Sequence, residues 1–437
     1  MKWITHLALA LMTGTACAAA QDPGGVTVFR NVNVLTMQEE AALPAHAVIV
    51  AGGTITWVGA MADLVVPDGA RLVEGGGRYL LPGLADMHVH MGGVDVPLFL
   101  ANGITTVREL NGAPFHLALR DSIRAGQRVG PRMFVTSALL AGAEQPWRHL
   151  LVSDAAAAAR IARESAAAGY DALKVYDALS PQAYRALVEA GAATGLPLVG
   201  HIPRDVGLAA VLAAGQRTIE HSEQIMYATV GHEPAPDRIP EITADVAASG
   251  VWVVPTLAAQ RILTQSGTAD YNARFEVPEI RFVDEGTLAW WRTLRAPDGT
   301  PPAAPDDPRS VRRNAFYGFQ RELVAALHAA GVPFLVGTDT PNPLLIPGYS
   351  IHLEFEALTG AGLRPIDVLR AATREPARFM GQEGEWGVVV PGAAADLVLV
   401  EANPLEDMGT LKRPAGVMVG GRWLERAALE AMVAERG

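Results

Sequence analysis

Through the middle of the chain, short apolar runs alternate with longer amphipathic stretches. Eight runs of strand length lie at 84–90, 104–110, 132–137, 172–177, 197–202, 217–221, 251–257 and 332–339. Between them the pattern turns helical, as in the alanine-rich segment from Asp154 and the segment from Pro181 to Ala193. Several helical stretches close on a glycine that leads directly into the next run: Gly195, Gly215, Gly250 and Gly331. Glycine there ends a helix in the left-handed conformation. Eight strand-then-helix units predict an α/β chain folded as a (β/α)8 TIM barrel, ahead of an open doubly wound sheet.

The two ends of the chain read differently. Residues 26–29, 32–36, 47–51 and 54–58 alternate or run apolar, with glycines at 52–53 and 75–77 as turns. Beyond the barrel, 387–390, 396–400 and 417–424 are strand-like, the last folding over Gly420-Gly421 as a hairpin. Both ends are expected to pair into one small β-sandwich domain, from 21–82 and 382–437, around a barrel at 83–381. One connection, 259–320, is overlong and carries Trp290-Trp291 and a proline-rich stretch from Ala296. It reads either as a lid over the barrel mouth or as an exposed insertion without a role.

Composition narrows the possibilities. Half of the residues are hydrophobic and 19% charged, which excludes disorder. The net charge is −11 and no basic block stands out, so nucleic acid is excluded as a partner. Lys2, an apolar run to Ala19 and the small-residue pattern Ala18-Ala19-Ala20 read as a signal peptide over 1–20. That run is too short to span a bilayer, and the alternative is a buried N-terminal helix. Cleavage there removes Cys17, the single cysteine. The expectation is an exported protein, periplasmic or secreted, free of the membrane, with no disulfide and no thiol nucleophile.

Polar residues at the strand ends carry the candidate chemistry. Side chains alternate along a strand, so Asp86, His88 and His90 share one face, and two imidazoles can reach one metal. Otherwise they are ordinary polar strand-end residues. Lys174, His201, His221 and Asp339 sit within or just after later apolar runs. Lys174 is one of only three lysines. Burial in an apolar strand favours its neutral amine, which can take up CO₂ as a carbamate. The alternative for Lys174 is a buried ion pair with a carboxylate. By the same alternation, Glu220 points away from the face of His221.

The segment Pro82-Gly83-Leu84-Ala85-Asp86-Met87-His88-Val89-His90 resembles the opening motif of the metal-dependent amidohydrolase superfamily. Lys174, His201, His221 and Asp339 complete the pattern of its carbamylated-lysine, two-metal branch. The flanks agree: Thr105-Thr106-Val107-Arg108-Glu109-Leu110, Ile219-Glu220-His221, and Pro391-Gly392-Ala393-Ala394-Ala395-Asp396-Leu397-Val398-Leu399-Val400. The resemblance is strongest to secreted dipeptidase and prolidase-like members and to ochratoxin-hydrolysing amidohydrolases. Glu109 departs from the pattern, since relatives often carry Asp there.

The resemblance implies two divalent metal ions, zinc first among them. His88, His90 and Asp339 would hold one, His201 and His221 the other, with the carbamate of Lys174 between them. A metal-bridging hydroxide would attack the carbonyl of a dipeptide or N-acyl amino acid, with Asp339 as catalytic base and then acid. Competing readings are a lactonase or phosphotriesterase on the same metals, a one-metal deaminase, and an exported barrel that binds without catalysis. Counting ligands against metals leaves the site near +1, which suits a small-molecule substrate bearing a carboxylate. Arg108, Tyr176 and Arg204 are candidates to meet that carboxylate, or make ordinary loop contacts. Trp290 and Trp291, with Trp147, either line an aromatic pocket or fill core. A homo-oligomer is compatible with all of this.

Overall fold

A computed structural model describes residues 25–295 and 302–436, so the expected signal peptide and residues 296–301 of the proline-rich stretch lie outside the described residues. The first strands are β1 (Val26–Val34), β2 (Leu43–Ala51), β3 (Thr54–Ala60), β4 (Arg71–Glu74) and β5 (Tyr79–Pro82). The barrel strands follow: β6 (Leu84–Val89), β7 (Ile104–Glu109), β8 (Arg132–Ala141), with the short β9 (His149–Leu151) beside it, β10 (Ala172–Val175), β11 (Leu198–Gly200), β12 (Thr218–Glu220) and β13 (Trp252–Val254). The chain closes with β14 (Leu397–Val400), β15 (Gly416–Val419) and β16 (Arg422–Glu425).

The two chain ends share one sheet, in the order β16-β15-β14-β5-β1-β2-β3, and this sheet forms the small β-domain. Its seam is the antiparallel pair β14–β5, with Leu397 opposite Pro82. Two sequence expectations change here. The runs at 26–29 and 32–36 are not separate strands: β1 runs through both, with a register shift between Phe29 and Val32 around Asn31, whose φ is +54°. Residues 387–390 are not a strand. Gly387 is left-handed at φ +74° and packs against the backbone of Thr373, which turns the chain; Val388 and Val389 are buried as packing instead.

The barrel strands pair in parallel in the order β13-β12-β11-β10-β8-β7-β6. The eighth run, 332–339, closes the ring as an irregular extended segment. It bridges β13 at Val253–Phe334 and β6 at Val89–Thr340, and Val336 O accepts from Met87 N at 2.8 Å. Glycine is required at 337, because a Cβ there would stand 2.6 Å from both His88 Cβ and Val254 Cγ1. Met87, Phe134, Ala172, Val199, Val254, Leu335 and Phe379 fill the barrel interior as a core of their own.

The surrounding helices start and stop where side-chain chemistry says they should. Asp154 accepts from Ala157 N at 2.8 Å and Ser180 from Ala183 N at 3.1 Å, capping helices Ala155–Ala168 and Pro181–Thr194. Gly169, Gly195 and Gly250 end their helices in the left-handed region. The described parts of the 259–320 connection are largely helical: they include helices Ala269–Ala273 and Glu285–Arg292 and the start of a 22-residue helix, Pro308–Ala329. Among the described residues no helix is long and apolar enough to cross a membrane.

Candidate metal centre

At the C-terminal ends of the barrel strands four imidazoles and one carboxylate converge. His88 Nε2 and His90 Nε2 stand 3.2 and 3.1 Å from the same oxygen of Asp339, and His221 Nδ1 lies 3.9 Å from the other. Donor atoms of His88, His221 and Asp339 all fall within 4.8 Å of one another, close enough to share one ion. The rings form a chain, with centroids 5.2 Å apart for His90 and His88, 4.7 Å for His88 and His221, and 5.0 Å for His221 and His201. All six expected ligand residues line one cavity of about 450 Å³.

Lys174 projects into this cavity from β10. It is 1% exposed, and its Nζ has no hydrogen-bond partner among the described residues. Among the described residues no carboxylate approaches within ion-pairing distance, so the ion-pair alternative does not describe it. Burial pulls its ammonium down to about 8, against the opposing pull of Glu220 and Asp339. Asp339 is held well below the carboxylate range: burial pushes it up, but His88 and His221 outweigh that.

The imidazoles are oriented from behind. His201 Nδ1 is 3.0 Å from Asp177 Oδ1 and His221 Nδ1 is 2.8 Å from Thr256 Oγ1, which leaves Nε2 of each ring free for a ligand role. His88 Nδ1 is 3.0 Å from Glu220 Oε2, and the other oxygen of Glu220 accepts from Arg108 Nη2 at 2.7 Å. Burial pushes Glu220 up, yet Arg108 and His88 hold it far below the usual range. The expectation that Glu220 points away fails for a local reason. His221 sits at φ +69°, so the strand's alternation breaks between the two residues and both side chains reach inward. Glu109 accepts from Met91 N at 2.7 Å and Asn111 N at 2.8 Å and lies 3.7 Å from His90 Nδ1, so it steadies the second imidazole of the pair.

The expected substrate residues divide. Tyr176 and Trp290 line the cavity, Tyr176 with its ring 4.4 Å from His201 and Trp290 edge-on to Trp147 at 5.2 Å. Trp291 does not: it is fully buried, with Nε1 donating to Pro341 O at 3.2 Å. Arg108 does not meet a substrate in this cavity, because it is 2% exposed, does not line the cavity, and turns Nη2 to Glu220 and Nε to Met87 O at 2.7 Å. Arg204 is exposed and does not line the cavity.

Residues that sequence reasoning missed are Asp177, Glu223, Gln224 and Gln260, all on the cavity wall. They lie just beyond strand ends, where no periodicity marks which way a side chain turns. Burial pushes Glu223 up to about 8, helped by Asp339 and Glu354. Among the described residues no guanidinium lines the cavity, and two carboxylates outside the histidine cluster, Asp177 and Glu223, do. The described cavity wall therefore shows no guanidinium to meet the carboxylate expected of a substrate.

Barrel and cluster together define a metal-dependent hydrolase that acts on carbon–nitrogen bonds. The chain belongs to the amidohydrolase family, whose pattern matches residues 79–424. It is 29% identical to an imidazolonepropionase of Ralstonia nicotianae, over 86% of this chain and 91% of that one. It is 23% identical to an ochratoxinase of Aspergillus niger, over 91% and 86%. The solved structure of a bottromycin amidohydrolase superposes with a TM-score of 0.75 at 28% identity, covering 95% of this chain and 91% of that one.

Proposed function

We propose that the protein is a two-metal amidohydrolase that cleaves the amide bond of dipeptides or N-acyl amino acids. His88, His90 and Asp339 would hold one ion and His201 and His221 the second, with a carbamate on Lys174 serving both. Imidazole and carboxylate donors suit zinc. Divalent ions supply Lewis acidity to the carbonyl and lower the pKa of a bound water. The rest falls to the chain. Asp339, within hydrogen-bonding distance of two imidazoles, takes a proton from the attacking water and delivers it to the departing nitrogen. Glu220 and Asp177 fix the tautomers of His88 and His201. Trp147 and Trp290 cover part of the mouth. In the same reading, residues before Gln21 are an export signal and the barrel spans 83–381.

The observation that carries this reading is the unpartnered Nζ of Lys174. A buried ammonium without an acceptor is costly, whereas a neutral amine there is ready to take up CO₂. A one-metal deaminase has no use for such a bridge. Asp339 suits amide chemistry, since an amine leaving group needs a proton delivered to it. The test is Lys174→Ala, read as metal per folded chain beside activity on a dipeptide panel. Loss of metal and activity with the fold retained is expected, partly reversed by acetate filling the vacated space. Full metal occupancy in the variant removes the carbamate from the reading.

A further inference from the structure

We propose that Glu223 is the specificity residue that receives a free α-ammonium group, so that the enzyme selects unblocked dipeptides over N-acyl amino acids. This rests on the amide-cleaving reading above and chooses between its two substrate classes. Glu223 lies in the first turn of helix Ser222–Thr229, two residues past His221, and its side chain lines the same cavity as the histidine cluster. A substrate ammonium is only two bonds from the scissile carbonyl. A group that grips it must therefore share the cavity with the metal ligands, as Glu223 does.

The other acidic side chains around the site are already engaged. Asp339 meets His88 and His90, Glu220 meets Arg108, and Asp177 meets His201. Asp86 accepts from the hydroxyl of Thr338 at 2.7 Å, and Glu109 and Glu354 accept from backbone N–H groups. Among the described residues Glu223 meets only neutral donors, its own backbone N–H and Gln320 Nε2 at 3.3 Å, and that Gln320 nitrogen is closer, at 2.7 Å, to Ser222 Oγ. No cation pairs with Glu223 among the described residues. Its free acceptor oxygen, with the side-chain amides of Gln224 and Gln260 on the same wall, offers acceptors to an ammonium's three N–H donors. The uncharged alkyl end of an N-acyl amino acid would leave them unpaired, and unpaired buried polar groups are what a binding site rejects.

The experiment compares leucyl-phenylalanine with 4-methylpentanoyl-phenylalanine, which lacks only the amine, on the metal-loaded enzyme. The wild type should show a KM at least about tenfold lower for the dipeptide. In Glu223→Gln, which keeps shape and fold, the two KM values should converge to within about twofold, with kcat changed by the same factor for both. Equal KM values in the wild type, or a ratio that survives in Glu223→Gln, overturn the proposal. Calorimetric binding of both compounds separates this from the parent reading. If neither is cleaved but the dipeptide's tighter binding depends on Glu223, the ammonium site stands and the amide reading falls. If neither is cleaved and binding ignores Glu223, both fall.

Discussion

Arg108 is where the structure overturns the sequence most sharply, and it yields the most exposed prediction. The guanidinium and Glu220 form an ion pair at 2.7 Å, with side chains 3% and 0% exposed. For charges about 4 Å apart at an effective dielectric of about 20, the attraction is roughly 4 kcal/mol. Arg108→Met leaves the Glu220 carboxylate buried with His88 Nδ1 and the Thr218 hydroxyl as its remaining partners. Stranding one member of a buried pair costs about 3–5 kcal/mol. The double variant Arg108→Met/Glu220→Gln removes the stranded charge and should recover most of that loss. Denaturant unfolding of the two single variants and the double measures the coupling. A cost below about 1 kcal/mol for Arg108→Met would show that water already satisfies Glu220, and the pair would lose its role.

The pH dependence gives a second reading of the same substitution. In the wild type Glu220 is held below its ordinary value. Its contribution is therefore full above about pH 4.3 and is lost only as the pH falls through the folded-state value. Without Arg108, burial prevails and raises the carboxyl above its unfolded value. The variant should then gain stability as the pH falls from 7 to 5, whereas Glu220 gives the wild type no such gain. Parallel stability profiles for the two proteins would refute the assignment.

The two adjacent tryptophans should separate cleanly. Trp291→Ala should cost about 3–5 kcal/mol in unfolding experiments, because the ring is fully buried. Trp290→Ala should cost under about 1 kcal/mol and raise KM for bulky acyl groups more than for small ones, as steady-state kinetics would show. Gly337→Ala should destabilise by about 1–3 kcal/mol and lower metal content by elemental analysis, since the added methyl drives into His88.

Much of the architecture was legible because it rests on local rules. Period-two and helical patterns marked the barrel strands, and Asp154, Ser180, Gly195 and Gly250 cap their helices as those residue types should. The pairing of the two chain ends followed from matching strand patterns. The eighth strand was legible as an apolar run but not as the irregular closure it forms, because Gly337 and the turn at Asp339 depend on contacts with β6 that no local pattern shows. Arg108 was misread because a charged residue near a strand end looks solvent-facing until its partner, 112 positions away, is known. Glu223 was invisible because it follows a residue whose backbone breaks the alternation on which the sequence argument relied.

That break is part of the construction of the site. His221 at φ +69°, Asp339 at +62° and Thr256 at +47° are non-glycine residues in the left-handed region, each costing on the order of 1–3 kcal/mol. All three cluster at the ends of the sixth, seventh and eighth barrel segments. Backbone hydrogen bonds hold the first two in place: His221 N donates to Val254 O and Asp339 N to His88 O, both at 2.8 Å. A regular strand would send neighbouring side chains to opposite faces, so Glu220 and His221 could not both serve the centre. Turning the backbone at His221 puts one behind His88 and the other beside Asp339, and the same device at Asp339 brings its carboxylate to the imidazoles of His88 and His90. The strain is therefore located where ligand convergence demands it. The strands below, filled by Met87, Ala172 and Val199 with Leu335 of the closing segment, supply the rigid packing that sustains it.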